Sequence, residues 1–61
     1  MEFNEIEMRI DLENNSDDYT TEEIDFIIDA IKSRIKNRNG TDYEIISYVL
    51  ENFTTLMKKA V

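Results

Sequence analysis

The sequence predicts an α+β, mostly helical fold: a β-α-α protomer whose strand pairs with that of a second copy. Three observations predict it. The run Glu5-Ile6-Glu7-Met8-Arg9-Ile10-Asp11-Leu12 alternates charged and apolar residues strictly, the period of a half-buried strand. Two later segments each open on a Thr-x-x-Glu box and continue with apolar residues at helical spacing. The chain has 61 residues and no cysteine, a size at which one chain struggles to bury enough apolar surface to offset its conformational entropy.

The strand is expected over residues 5–12, with Ile6, Met8, Ile10 and Leu12 on a buried face and Glu5, Glu7, Arg9 and Asp11 on the other. A lone strand leaves its backbone N–H and C=O groups unpaired, so it calls for a second strand, most simply from another copy. Residues 13–19, with Glu13, Asn14, Asn15, Ser16, Asp17 and Asp18, are turn-formers without periodicity and read as an acidic loop.

A first helix is expected over residues 21–38. Thr20 is its N-cap, Glu23 reaches back to that cap, and Ile24, Ile27, Ile28, Ile31 and Ile35 form one stripe. Phe26 and Ala30 fall roughly opposite the stripe, so Phe26 is either covered by the Tyr19 loop or part of a contact surface. Asn39-Gly40 ends the helix with a pair suited to positive φ. Thr41-Asp42-Tyr43-Glu44 opens a second helix over residues 42–60. Its apolar residues Ile45, Ile46, Val49, Leu50, Phe53, Leu56, Met57 and Ala60 span an arc of roughly 160°, more than one neighbouring helix buries. The dimer core is therefore assigned to Ile6, Met8, Ile10, Leu12, Ile46, Val49, Leu50, Phe53 and Met57, in a single domain covering residues 1–61.

Charge and composition narrow the function. The net charge is −7, and residues 1–29 carry 11 acids against Arg9 alone. Such an acidic half repels phosphate backbones and attracts basic protein surfaces. With no histidine and no cysteine, zinc sites and thiol or imidazole catalysis built on those residues are excluded. The sequence predicts no enzyme, because acid–base catalysis by its carboxylates also needs a sheltered cleft. It predicts no cofactor and no metal site. Asp11, Glu13, Asn15, Asp17 and Glu22 echo the spacing of a calcium loop, but Ser16 stands where that loop needs glycine. No apolar run approaches the roughly 20 residues of a membrane span and no basic leader is seen, so the expected location is cytoplasmic. Nine isoleucines, six asparagines and no proline fit an AT-rich genome, as in many bacteria and their phages.

The order strand, helix, Gly-containing turn, helix resembles the ribbon-helix-helix family of dimeric regulators and antitoxins. The stretch from Gly40 to Phe53 is similar to that family's turn and second helix. The resemblance implies an intertwined homodimer with four helices and a two-stranded antiparallel ribbon across a two-fold axis, the outer ribbon face reading the DNA major groove. Here that face would hold Glu5, Glu7, Arg9 and Asp11, of which only Arg9 suits a phosphate-lined groove. The leading expectation is thus a small acidic protein, of phage or mobile-element type, that binds and inhibits or regulates a basic protein partner by mimicking nucleic-acid charge. Its contacts would be Glu5, Glu7, Asp11, Glu13, Asp17 and Asp18. The alternative is a ribbon-helix-helix transcriptional regulator or antitoxin that meets DNA through Arg9, Lys32, Arg34, Lys36 and Arg38.

Overall fold

The side-chain oxygen of Asn4 accepts a hydrogen bond from the Glu7 N–H (3.0 Å) and caps a helix, α1 (Glu5–Asn14), where the alternation predicts a strand. The computed structural model describes residues 2–15, 17–37 and 40–60, and in it the described residues form three helices and no strand. The α+β ribbon, and the intertwined homodimer built on it, give way to an all-α three-helix fold. The physical reason is local: a lone strand satisfies none of its backbone groups, whereas a helix satisfies most of its own. Asn4 is extended (φ −124, ψ 115), Glu5 and Glu7 lie in the first turn where the helix dipole favours negative charge, and Met8, Arg9 and Leu12 are good helix formers. At the far end the Asn15 N–H donates to the Leu12 carbonyl (3.1 Å) and its side-chain amide to the Asp11 carbonyl (2.9 Å). Glu13 and Asn14 therefore belong to the helix, and the acidic loop is shorter than residues 13–19.

The second helix, α2 (Thr21–Asn37), begins with a reciprocal cap: the Thr20 N–H donates to Glu23 Oε1 (2.8 Å) and the Glu23 N–H donates to Thr20 Oγ1 (3.1 Å). In α3 (Asp42–Ala60) the same device joins Thr41 and Glu44, with the Thr41 N–H and hydroxyl both donating to Glu44 Oε1 (3.2 and 3.0 Å). Gly40, between them, has φ +138, a conformation in which any other residue would be strained. Arg38 and Asn39 lie outside the described residues, as does the side chain of Ala60.

Bonds from Thr41 hold the Glu44 carboxyl below its usual value, backbone bond first and hydroxyl second. A depressed carboxyl contributes stability that is fully present above its unfolded pKa, about 4.3, and is lost as pH falls through the folded value. Glu44→Gln, which removes the titrating group, is accordingly expected to lose thermal stability less steeply than the parent chain between neutral pH and about pH 3. Calorimetric melts across that range check it. Parallel curves for the two proteins would show that Glu44 does not report the cap.

The core consists of Leu12, Ile24, Ile27, Ile28, Ile31, Ile45, Ile46 and Val49, with no buried polar residue among those described. Helix α1 packs on α2, and α2 on α3. The segment before α1 crosses to the start of α3, where the Phe3 N–H donates to Asp42 Oδ2 (2.6 Å). Phe3, Met8, Tyr19, Ile35, Leu50 and Phe53 pack around the core's margin, the Tyr19 and Phe53 rings 5.7 Å apart. Here the wide apolar arc of α3 is largely met within one chain. Of the residues assigned to a dimer core, Leu12, Ile46 and Val49 are buried in the protomer's own core. Met8, Leu50, Phe53 and Met57 are half-buried. Ile6 and Ile10 stand outside the protomer's own core, 72% and 50% exposed. A helix turns about 100° per residue, so the four apolar residues that share one face of a strand divide into Met8 and Leu12 inward, Ile6 and Ile10 outward.

Candidate protein-docking surface

Helix α1 divides its apolar residues between two opposite sides, Met8 and Leu12 on one and Ile6 and Ile10 on the other. Its inner side lies on α2, fixed by Leu12 and by two ion pairs. Arg9 Nη1 meets Asp25 Oδ1 at 2.8 Å, and Lys32 Nζ meets Glu5 Oε1 at 2.9 Å. The bond to Asp25 raises the Arg9 guanidinium above its ordinary value, and the bond to Glu5 does the same for the Lys32 ammonium. All four side chains remain substantially exposed, so these pairs orient α1 more than they stabilise the fold.

The outer side carries Ile6 and Ile10, one turn apart. Glu7, Asp11 and Glu13 are exposed on the same helix, and Asp17 and Asp18 are exposed in the loop that follows. Burying what remains exposed of the two against a partner would recover part of the about 1.5–3 kcal/mol that full burial of an isoleucine gives, more for Ile6 than for Ile10.

Five of the six acidic residues singled out from the sequence, Glu7, Asp11, Glu13, Asp17 and Asp18, are thus exposed and available in and after α1. Glu5 is different, because its carboxylate is engaged by Lys32 across the α1–α2 contact. The residues considered for DNA do not gather. Arg9 and Lys32 are each paired to a carboxylate, Arg34 stacks on the Tyr48 ring (4.6 Å from its Cζ to the ring centroid), Lys36 is exposed, and Arg38 lies outside the described residues. On a helix, positions two apart face different ways, so alternating bases do not make one patch. Phe26 is half-buried, and the Tyr19 ring packs at a tilt of 58° against Phe53.

Sequence reasoning missed Asn4 as a cap and Asp25 as the partner that orients Arg9. The first had a signal: Asn4 and Glu7 have the same spacing as Thr20–Glu23 and Thr41–Glu44. The second had none, since it depends on how α1 crosses α2. Among the described residues no group of three or more acidic side chains is placed to hold a metal, and no helix is long and apolar enough to cross a membrane.

Comparison with protein-family models, with curated proteins and with solved structures gives no match for this chain.

Proposed function

We propose that this chain is a small acidic, non-enzymatic protein that binds and inhibits or regulates another protein, docking through the outer face of α1. The observation that carries the reading is the exposed Ile6–Ile10 pair set among Glu7, Asp11 and Glu13. Its complement is a basic surface with a narrow apolar slot. Two isoleucines would anchor the contact, while the carboxylates steer the encounter and reject acidic partners. A protein that binds nucleic acid presents such a basic surface, and α1 together with Asp17 and Asp18 would occupy it by charge. The net charge of −7 supports this direction of recognition.

The test starts by cross-linking the chain in its native host and identifying the captured protein, followed by titration calorimetry with that protein purified. Ile6→Ser/Ile10→Ser and Glu7→Lys/Asp11→Lys are each expected to weaken binding at least about 30-fold, the effect of losing roughly 2 kcal/mol of anchor or charge contact. Lys58→Glu, an exposed change in the last turn of α3, is expected to leave affinity within a few-fold of the parent. Undiminished binding by both α1 variants would overturn the reading. Nucleic acid is expected to compete with the parent chain for the same partner.

A further inference from the structure

At about 100° per residue, Phe26, Ala30, Arg34 and Asn37 lie on the other side of α2 from Asp25 and Lys32, the residues that face α1. Two open hollows lie along this side, between α2 and α3. One, of about 330 Å³, is lined by Phe26, Ala30, Ser33, Arg34, Asn37 and Leu56. The other, of about 390 Å³, is lined by Arg34, Glu44, Ile45 and Tyr48. Arg34 borders both. Whereas Arg9 and Lys32 each hold a carboxylate, Arg34 holds none among the described residues and rests on Tyr48. The groove thus offers Phe26, Ala30 and Leu56 beside the polar Ser33 and Asn37 and, at one end, the Arg34 guanidinium.

An occupant suited to it carries an apolar ridge with carboxylates beside it. The outer face of α1 is such a ridge. Ile6 and Ile10 are spaced i and i+4, as are Phe26 and Ala30, so ridge and floor repeat at the same interval of about 6 Å. Glu7 and Asp11 follow the two isoleucines by one residue each and run down one flank of the ridge.

We propose that the groove receives α1 from a second copy of the chain, with Ile6 and Ile10 over Phe26, Ala30 and Leu56 and with Glu7 and Asp11 meeting Arg34. Glu22 and Asp29 stand on the solvent side of α2 near Phe26 and Glu44 lines the hollow beyond Arg34, so the polarity rests on Arg34: the ridge's acids lie toward that cation. Pairing α1 with α1 instead would set like charges against each other and is disfavoured. The contact is head-to-tail, so each copy keeps one free ridge and one free groove, and association grows with concentration rather than stopping at a dimer. One helix face is a small contact and every copy carries −7, so the assembly forms only at high concentration. Where it forms, it covers the face assigned above to partner docking. The contact itself does not depend on that assignment, and its test uses this chain alone.

Sedimentation velocity from about 10 μM to about 1 mM tests the proposal, with far-UV circular dichroism of every variant. The parent chain is expected to rise in average mass past the dimer. Ile6→Ser/Ile10→Ser, which lacks the ridge, and Arg34→Glu, which lacks the cation, are each expected to remain monomeric. Their equimolar mixture should form a 1:1 dimer, because each supplies what the other has lost, with an affinity within a few-fold of the parent's. If Arg34→Glu loses helical signal, Arg34→Gln takes its place. A parent chain that stays monomeric throughout would overturn the proposal. So would a parent that stops at a dimer, or single variants that associate as well as the parent.

Discussion

Ile31→Ala is expected to leave most of the chain unfolded at 25 °C. Ile31 is fully buried with Ile27, Ile28 and Val49, at the point where α2 faces α3. Cutting a buried isoleucine to alanine costs about 2–5 kcal/mol, the transfer of the lost methyl groups plus the cavity left behind. A core of this size supplies only about 3–5 kcal/mol in all, and no disulfide adds to it. Urea titration followed by circular dichroism should place the midpoint of Ile31→Ala near zero denaturant. Ile35→Ala, at the half-buried end of the same stripe, should retain a clear transition. A parental midpoint for Ile31→Ala would mean that the α2–α3 contact does not hold the fold together.

The second large effect separates the two faces of α1. Met8→Ser/Leu12→Ser removes a half-buried and a buried side chain and leaves polar groups in their place; the expected loss is about 3 kcal/mol or more, close to the whole stability. Ile6→Ser/Ile10→Ser changes side chains that stand in water, and should stay within about 0.5 kcal/mol of the parent. A strand would put all four residues on one buried face and make both double variants equally damaging. Urea melts of the pair therefore read out the secondary structure of residues 5–12 through stability alone. Equal losses would contradict the helix.

That contrast explains why α1 was the element the sequence concealed. Four apolar residues at every second position satisfy a strand with one apolar face, and equally a helix with two, each face holding a pair four residues apart. Over eight residues the patterns coincide. What separates them is Asn4 with Glu7 behind it, together with the cost of a strand that has no partner. Helices α2 and α3 were legible because capping and periodicity agree there: Thr20–Glu23 and Thr41–Glu44 mark the starts, and the isoleucine stripe of α2 exceeds any strand length. The wide arc of α3 was legible as a demand for extra cover, but not its source. Phe3 and Tyr19 come from segments without periodicity, and only the packed chain brings them to α3.

The candidate site was legible in charge and not in arrangement. Composition located the acids near the N-terminus; it could not separate Glu5, engaged by Lys32, from Glu7, Asp11 and Glu13, which face water. Nor could it reveal that Ile6 and Ile10 stand among those free carboxylates. Both facts follow from which side of α1 meets α2, a choice fixed by Leu12 and by the Arg9–Asp25 pair.

Everything proposed for the outer face of α1 depends on residues 5–14 being helical in solution with Ile6 and Ile10 free. Backbone NMR assignment measures this directly. The account predicts an unbroken run of helical Cα shifts from Glu5 to Asn14, with sequential amide–amide contacts as strong as those in α2. Extended shifts over residues 5–12, with cross-strand contacts between two copies of the chain, would contradict it.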